Sequence, residues 1–252
     1  MVRESRAMAR GFVVATAFLT RIPVAAPGCS AGQLADAAWA FPLVGAGIGA
    51  AAAFAFLLAQ LVGLGDWPAA LLAVLTGLAL TGALHEDGLG DAADGLIGGR
   101  DRDHALAVMR DSRLGTFGVL AIVASVLLRS AALAGIGEAV HAGLGLIAAH
   151  AASRAVLPVV MRTITPARAE GLGVEAGRPS VSVATAAMTI GVLISLAALG
   201  PIRGAIALGA AGAAVFASGM LAQRRIGGYT GDVLGAFQQI GEIVMLLTAA
   251  AR

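Results

Sequence analysis

Seven apolar stretches recur along the chain, at residues 39–62, 67–85, 114–136, 139–161, 181–199, 204–222 and 233–250, with short polar breaks between them. A helix needs about 20 such residues to cross a hydrocarbon core, so each stretch is predicted to span a membrane. Residues 63–66 and Gly200-Pro201 carry the glycine and proline that punctuate neighbouring helices. The pattern predicts an all-α fold: a polytopic integral membrane helical bundle of about seven transmembrane helices, forming one membrane-embedded domain over 1–252. Ahead of the first span, Arg3, Arg6 and Arg10 precede an apolar run at 11–20 that Arg21 and Pro23 interrupt. A cleaved leader is not expected, because Pro27 stands where the lipoprotein-like box Ala26-Pro27-Gly28-Cys29 needs a small residue. Segment 1–38 is therefore predicted to hold a short interfacial or re-entrant helix.

Composition agrees with a membrane setting. Hydrophobic residues make up 58% of the chain and charged ones 13%, with mean hydropathy +0.87; a soluble domain carries about 25% charged residues. Thirty-five glycines suit helices that approach closely through small side chains. A formal net charge of +2 is too small and too dispersed for a nucleic-acid partner, which leaves membrane lipid as the surroundings; association with copies of this chain stays open. The single cysteine, Cys29, excludes an internal disulfide and a cysteine-built zinc site, and its role reads as incidental.

All 17 basic residues are arginine. Arg3, Arg6, Arg10, Arg21, Arg100, Arg102, Arg110, Arg113, Arg162, Arg168, Arg178, Arg224 and Arg225 fall on one side of the predicted spans, and Arg203 and Arg252 on the other. Positive charge is retained on the cytoplasmic side, so the N-terminus and the loops 86–113, 162–180 and 223–232 should face the cytoplasm from a bacterial inner membrane. No inverted second copy of the acidic segment is present, which counts against a transporter built from paired halves.

Seven of the 15 acids lie in 86–111. In His85-Glu86-Asp87-Gly88-Leu89-Gly90-Asp91-Ala92-Ala93-Asp94-Gly95, the carboxylates of Asp87, Asp91 and Asp94 fall within about 60° of one another on a helix. Three like charges on one stripe repel, and a hard divalent cation such as Mg²⁺ relieves that repulsion. Glu86 projects about 100° away from the stripe and reads as a further metal ligand or a solvated neighbour. Asp101 or Asp103 is placed to cap a short helix. Arg110 and Arg113 flank Asp111, so two guanidinium forks and a carboxylate could meet a phosphate ligand, or anchor the next span.

Arg129 and Arg154 are costly inside a membrane and point to a polar interior; His150 lies one turn before Arg154, whose expected partner is an acid or the substrate. Arg168 stands beside a glycine turn. Thr230 or Asp232 is placed to cap the last span, and Asp232, Gln239 and Glu242 continue polarity into it. No nucleophilic triad, P-loop, dinucleotide fingerprint or zinc-protease motif appears. Carboxylates for Mg²⁺ with arginines on one membrane face suit phosphoryl transfer by positioning and charge neutralisation.

The run 81–95, Met109-Arg110-Asp111-Ser112-Arg113-Leu114-Gly115-Thr116-Phe117-Gly118, Phe18-Leu19-Thr20-Arg21-Ile22-Pro23-Val24, Phe41-Pro42-Leu43-Val44-Gly45, the stretch 167–173 and Tyr229-Thr230-Gly231-Asp232 together closely resemble the adenosylcobinamide-GDP ribazoletransferase (cobalamin synthase) family over nearly the whole chain. The resemblance implies a membrane enzyme of cobalamin assembly that joins adenosylcobinamide-GDP to α-ribazole or its 5′-phosphate, releases GMP and requires Mg²⁺. The stripe Asp87, Asp91 and Asp94, read above as the metal site, is intact against the family pattern, whereas the family has either an acid or leucine at the Glu86 position, which weakens an essential role for Glu86 as a metal ligand. Phosphate would be held by Arg110, Arg113 and Arg168, with Arg154 a further substrate-binding candidate, and Asp111 or Asp232 would accept the attacking hydroxyl's proton. Asp91-Ala92-Ala93-Asp94-Gly95 also resembles the first half of the CDP-alcohol phosphotransferase motif, whose second half is missing. A cation transporter using the same acids is the alternative from a different class.

Overall fold

The computed structural model describes residues 2–24 and 31–251. Cys29, the Ala26-Pro27-Gly28-Cys29 box and Arg252 lie outside the described residues. Helix follows helix throughout: α1 (Val2–Leu19), α2 (Ala31–Ala37), a 3₁₀ turn (Ala38–Ala40), α3 (Phe41–Leu61), α4 (Asp66–Thr81), α5 (Leu84–Gly98), α6 (Arg102–Val108), α7 (Thr116–Ile136), α8 (Ala139–Thr163), α9 (Leu172–Glu175), α10 (Val181–Leu199), α11 (Pro201–Ile226) and α12 (Gly231–Ala250). Six helices are long and apolar enough to cross a membrane, or up to seven if the bent pair α4–α5 forms one span. The chain is an all-α membrane protein.

Helix ends follow local chemistry. Asp101 accepts from the His104 amide at 2.8 Å and caps α6, Glu138 accepts from Val140 and His141 at the start of α8, and Ser180 accepts from Val183 at the start of α10. Pro42 and Pro201 sit in the first turns of α3 and α11, where a missing amide costs nothing.

The second apolar stretch is shorter than its hydropathy predicts. Helix α4 stops at Thr81, and α5 departs at 92° to it. Gly82 (φ 64°) and Ala83 (φ 55°) both adopt the left-handed conformation at the break. For an alanine this costs about 1–2 kcal/mol, which surrounding contacts must offset. Arg21 supplies one of them: its amide donates to the Leu80 carbonyl at 2.7 Å, and its side chain lies across Gly82 where a Cβ would go. His85 and the acids after it therefore turn off the apolar axis on their own helix.

Packing places α8 at the centre, against α3, α10 and α12. Of its apolar window 72% is buried, against 22% for α10 and α11, so those two form the outer wall. Between apolar helices in lipid, close van der Waals packing and buried polar contacts hold the bundle rather than water exclusion. Helix α1 leaves Arg6 and Arg10 exposed and buries Val14, Ala15 and Leu19.

Candidate active site

Helix α5 divides its acids by phase. Asp87 is exposed, Asp91 is half-buried, and Glu86 and Asp94 are buried. Its neighbour α12 comes close because both are glycine at the crossing: a Cβ on Gly88 would stand 2.9 Å from the Asp232 carbonyl oxygen, and one on Gly235 3.2 Å from the Gly88 Cα. That approach sets Asp232, at the start of α12, beside the α5 stripe. Asp232, Asp87 and Asp94 are the anionic neighbours of Asp91, and Arg168 is its cationic one. Thr230 caps α12, accepting from the Val233 amide at 3.3 Å, while its hydroxyl donates to Asp232 Oδ2 at 3.1 Å. Asp232 is thus released from capping and faces Arg168, whose Nη2 lies 3.7 Å away.

Three loops are tied into one face by arginines bonding to backbone. Arg102 donates to the carbonyls of Ile226 (3.0 Å) and Ala167 (2.7 Å), Arg225 to those of Leu96 (2.9 Å) and Gly99, and Arg168 to that of Leu106 (3.1 Å). Pro166 and Tyr229 form a parallel bridge, closed by Tyr229 N–H to Thr165 O at 3.1 Å and Ala167 N–H to Tyr229 O at 2.8 Å. Arg168 reaches the carboxylates from this platform. Burial pulls its guanidinium below the usual range and Asp232 opposes that shift, so the cation stays charged.

Beside these groups lies a cavity of about 270 Å³. Asp87, Asp232, Arg168 and Glu170 supply its charged groups, and α1, α2, α3 and α8 supply apolar ones, among them Phe18, Leu34, Phe41 and Leu157. The segments around residues 18–24, 41–45, 85–95, 167–173 and 229–232, dispersed in the sequence, all contribute to its lining. Among the described residues, no group of three His, Cys, Asp or Glu side chains forms a ready-made metal cage.

Several predicted site residues are placed elsewhere. Asp94 accepts from the amides of Gly115 (2.7 Å) and Gly118 (2.9 Å), so both carboxylate oxygens cap the N-terminus of α7. A Cβ at Gly115 would stand 2.6 Å from Asp94 Oδ1, and one at Gly118 would also strike the carboxylate, which accounts for that glycine pair. Asp111 and Arg113 bond to each other at 2.6 Å on an exposed loop, and neither lines the cavity. The Arg113 hydrogen bonds hold the Asp111 carboxyl down at about 2, which makes it a poor proton acceptor. Arg110 is exposed, near enough to Arg168 to act on its charge.

Glu86, read as a metal ligand or a solvated neighbour, and Arg154, read as paired with an acid or with substrate, both lie in the bundle interior against charged partners and neither lines the cavity. Arg129 bonds Glu86 at 3.0 Å and Glu242 at 2.9 Å, joining α5, α7 and α12. Glu242 lies 3.1 Å from His150 Nδ1 and 3.5 Å from Arg154, and bonds Gln238 at 2.6 Å; Gln239 bonds Glu86 at 3.0 Å and Ser125 at 2.7 Å. All of these side chains are buried. Two acids and two arginines balance, as they must where unpaired charge is costly. Gln238, Gln239, Glu242 and Ser125 were not singled out as a network by sequence; the signal was the two arginines, Arg129 and Arg154, left inside the predicted spans together with the acid Glu242. Arg102 and Arg225 carried no local signal for their clamping roles.

The family model for cobalamin-5-phosphate synthase matches residues 11–250. A protein named adenosylcobinamide-GDP ribazoletransferase from Bradyrhizobium diazoefficiens is 46% identical over 239 residues, 94% of this chain and 92% of its own. Relatives of the same name from Mesorhizobium japonicum and Azorhizobium caulinodans are each 43% identical, covering 92% and 98% of this chain and 90% and 97% of theirs. No solved structure matches. With the match running across every spanning helix and every segment that lines the cavity, the chain belongs to the cobalamin-5-phosphate synthase family.

Proposed function

We propose that this chain is a Mg²⁺-dependent membrane transferase that joins adenosylcobinamide-GDP to α-ribazole, or its 5′-phosphate, and releases GMP, with its active site on the cytoplasmic face of a bacterial inner membrane. The observation that carries the chemistry is the meeting of Asp87 from α5 with Asp232 from α12 and Arg168 at one cavity, with Asp91 close enough to all three to interact electrostatically. The names of the relatives supply the substrates. Loops held together by Arg102, Arg168 and Arg225 support the cytoplasmic orientation, since the arginine-rich side of the sequence is the side that carries the cavity.

Mg²⁺ fits this donor set. It binds through one or two carboxylates together with substrate phosphates and water, without an all-protein cage, and Asp87 and Asp91 are such a pair. When bound, it neutralises charge on the pyrophosphate and on the departing phosphate. Arg168, supported by Arg110, holds phosphate oxygens by charge-assisted hydrogen bonds. Asp232 accepts the proton of the ribazole hydroxyl as that oxygen attacks the phosphorus attached to cobinamide. A phosphorus–oxygen bond to the nucleoside forms, the bridging bond of the pyrophosphate breaks, and GMP carries away the electron pair.

Purified protein in detergent, given adenosylcobinamide-GDP, α-ribazole and Mg²⁺, should release GMP and a cobalamin product in equal amounts. Folded protein that forms no GMP with either ribazole form overturns the proposal. The transporter reading has weaker support, because the deep acids Glu86 and Glu242 are both neutralised by arginine.

A further inference from the structure

The two helices that bring carboxylates to the cavity meet twice. They cross at Gly88 and Gly235, beside Asp232. Two turns beyond Asp232, α12 presents Gln239, which donates to Glu86 Oε1 at 3.0 Å. The same oxygen accepts from Arg129 Nη2 at 3.0 Å, and Arg129 Nη1 donates to Glu242 Oε1 at 2.9 Å. From α7, Arg129 thus holds α5 by one arm of its fork and α12 by the other. One turn earlier on α7, Ser125 donates to Gln239 Oε1 at 2.7 Å. All five side chains are buried. The second oxygen of Glu86 has no hydrogen-bond partner among the described residues, so Arg129 and Gln239 make all of its side-chain hydrogen bonds.

Helix geometry carries this hold to the cavity. Glu86 and Asp87 are consecutive in the first turn of α5, so their side chains leave the axis about 100° apart and turn together. On α12, the seven-residue spacing of Asp232 and Gln239 returns Gln239 to within about 20° of the Asp232 face. We propose that Arg129 is a positioning residue for the reaction: by fastening Glu86 and Glu242 to one guanidinium it sets the rotation of α5 against α12, and with it the separation of Asp87 and Asp232 at the cavity. The inference rests on the reaction proposed above and adds to it a residue that does not line the cavity. The crossing at Gly88 and Gly235 fixes how near the two axes come, but glycines offer no side chain to oppose rotation about either axis. A planar fork that addresses two carboxylates in fixed directions supplies that constraint, which a point charge does not.

The test keeps the interior charge balanced, because an acid left buried without its cation destabilises the fold by itself. Glu86→Gln combined with Arg129→Gln removes one charge of each sign and leaves Glu242 beside Arg154, 3.5 Å away. In the full chain in detergent, with Cys29→Ser, spin labels at Ile97→Cys on α5 and Leu247→Cys on α12, both exposed, report the relative placement of the two helices by pulsed dipolar spectroscopy. The double variant should shift or broaden that distance by about 2 Å, lower kcat per folded molecule about tenfold or more, and raise the Mg²⁺ half-saturation about tenfold. Arg129→Lys, which keeps the charge and loses the fork, should show the same changes to a smaller extent. A network that only stabilises the fold lowers the unfolding midpoint and leaves the distance unchanged, with kcat and Mg²⁺ half-saturation of the folded molecules within about twofold of wild type. That result in the double variant, or in Arg129→Lys where the double variant does not fold, overturns the positioning role. Absence of GMP formation by folded wild-type protein overturns the reaction proposed above instead, and the spin-label distance still reads the geometry, so the two failures are distinct.

Discussion

Glu86 and Asp87 are adjacent in sequence and have opposite surroundings. Glu86 is buried against Arg129 and Gln239, in a network whose acids and arginines balance inside the bundle. Asp87 is exposed at the cavity, in a cluster where Asp87, Asp91 and Asp232 outnumber the Arg168 cation. The comparison separates two uses of carboxylates in one membrane protein. Paired charges join helices in the interior, and at the cavity the acids outnumber the cation beside them.

Breaking the locked region should have the largest effect on stability. Arg129→Leu leaves Glu86 and Glu242 without their shared cation, and removing one partner of a buried pair costs about 3–5 kcal/mol. Denaturant unfolding in detergent measures this; a loss under about 1 kcal/mol would show the network to be dispensable. Asp91→Asn tests the open region. It relieves like-charge repulsion, so the unfolding midpoint should hold or rise, while turnover falls on the order of 10²-fold with loss of a preorganised charge. Near-normal activity with unchanged Mg²⁺ dependence would make the cluster structural.

Asp94 stands between the two regions, on the stripe by phase and capping α7 by contact. Asp94→Asn should cost about 1–2 kcal/mol of stability through the lost charged cap, without the shift in Mg²⁺ requirement expected of a ligand. A shift matching that of Asp91→Asn would return Asp94 to the metal site. The smallest effect belongs to Asp111, whose carboxyl is held at about 2 by Arg113. Its folded pKa is depressed, so its contribution to stability is present above the unfolded value, about 4, and is lost as pH falls through about 2. Because the pair is exposed, Asp111→Asn should change turnover by less than about twofold between pH 6 and 8. A larger loss would make Asp111 part of the reaction.

The membrane character, most helix positions and the caps at Asp101 and Thr230 were legible because they depend on local hydropathy and on side chains within a few residues. The break between α4 and α5 was less so: Ala83 in a left-handed turn carries no compositional mark, and Arg21, which supports the turn, is far away in sequence. Likewise, nothing local to Asp94 announces the Gly115 and Gly118 amides it binds.

What the sequence determined by itself is phase. With about 3.6 residues per turn, Asp87, Asp91 and Asp94 had to share a stripe and Glu86 had to leave it, whatever surrounded the helix. Tertiary structure alone decided which of those carboxylates would be spent. The crossing of α5 with α7 gives Asp94 two amides and Glu86 an arginine, and its crossing with α12 at Gly88 and Gly235 delivers Asp232. Spacing along a chain sets the direction in which a side chain points, whereas what it meets is set by the packing of helices remote in sequence.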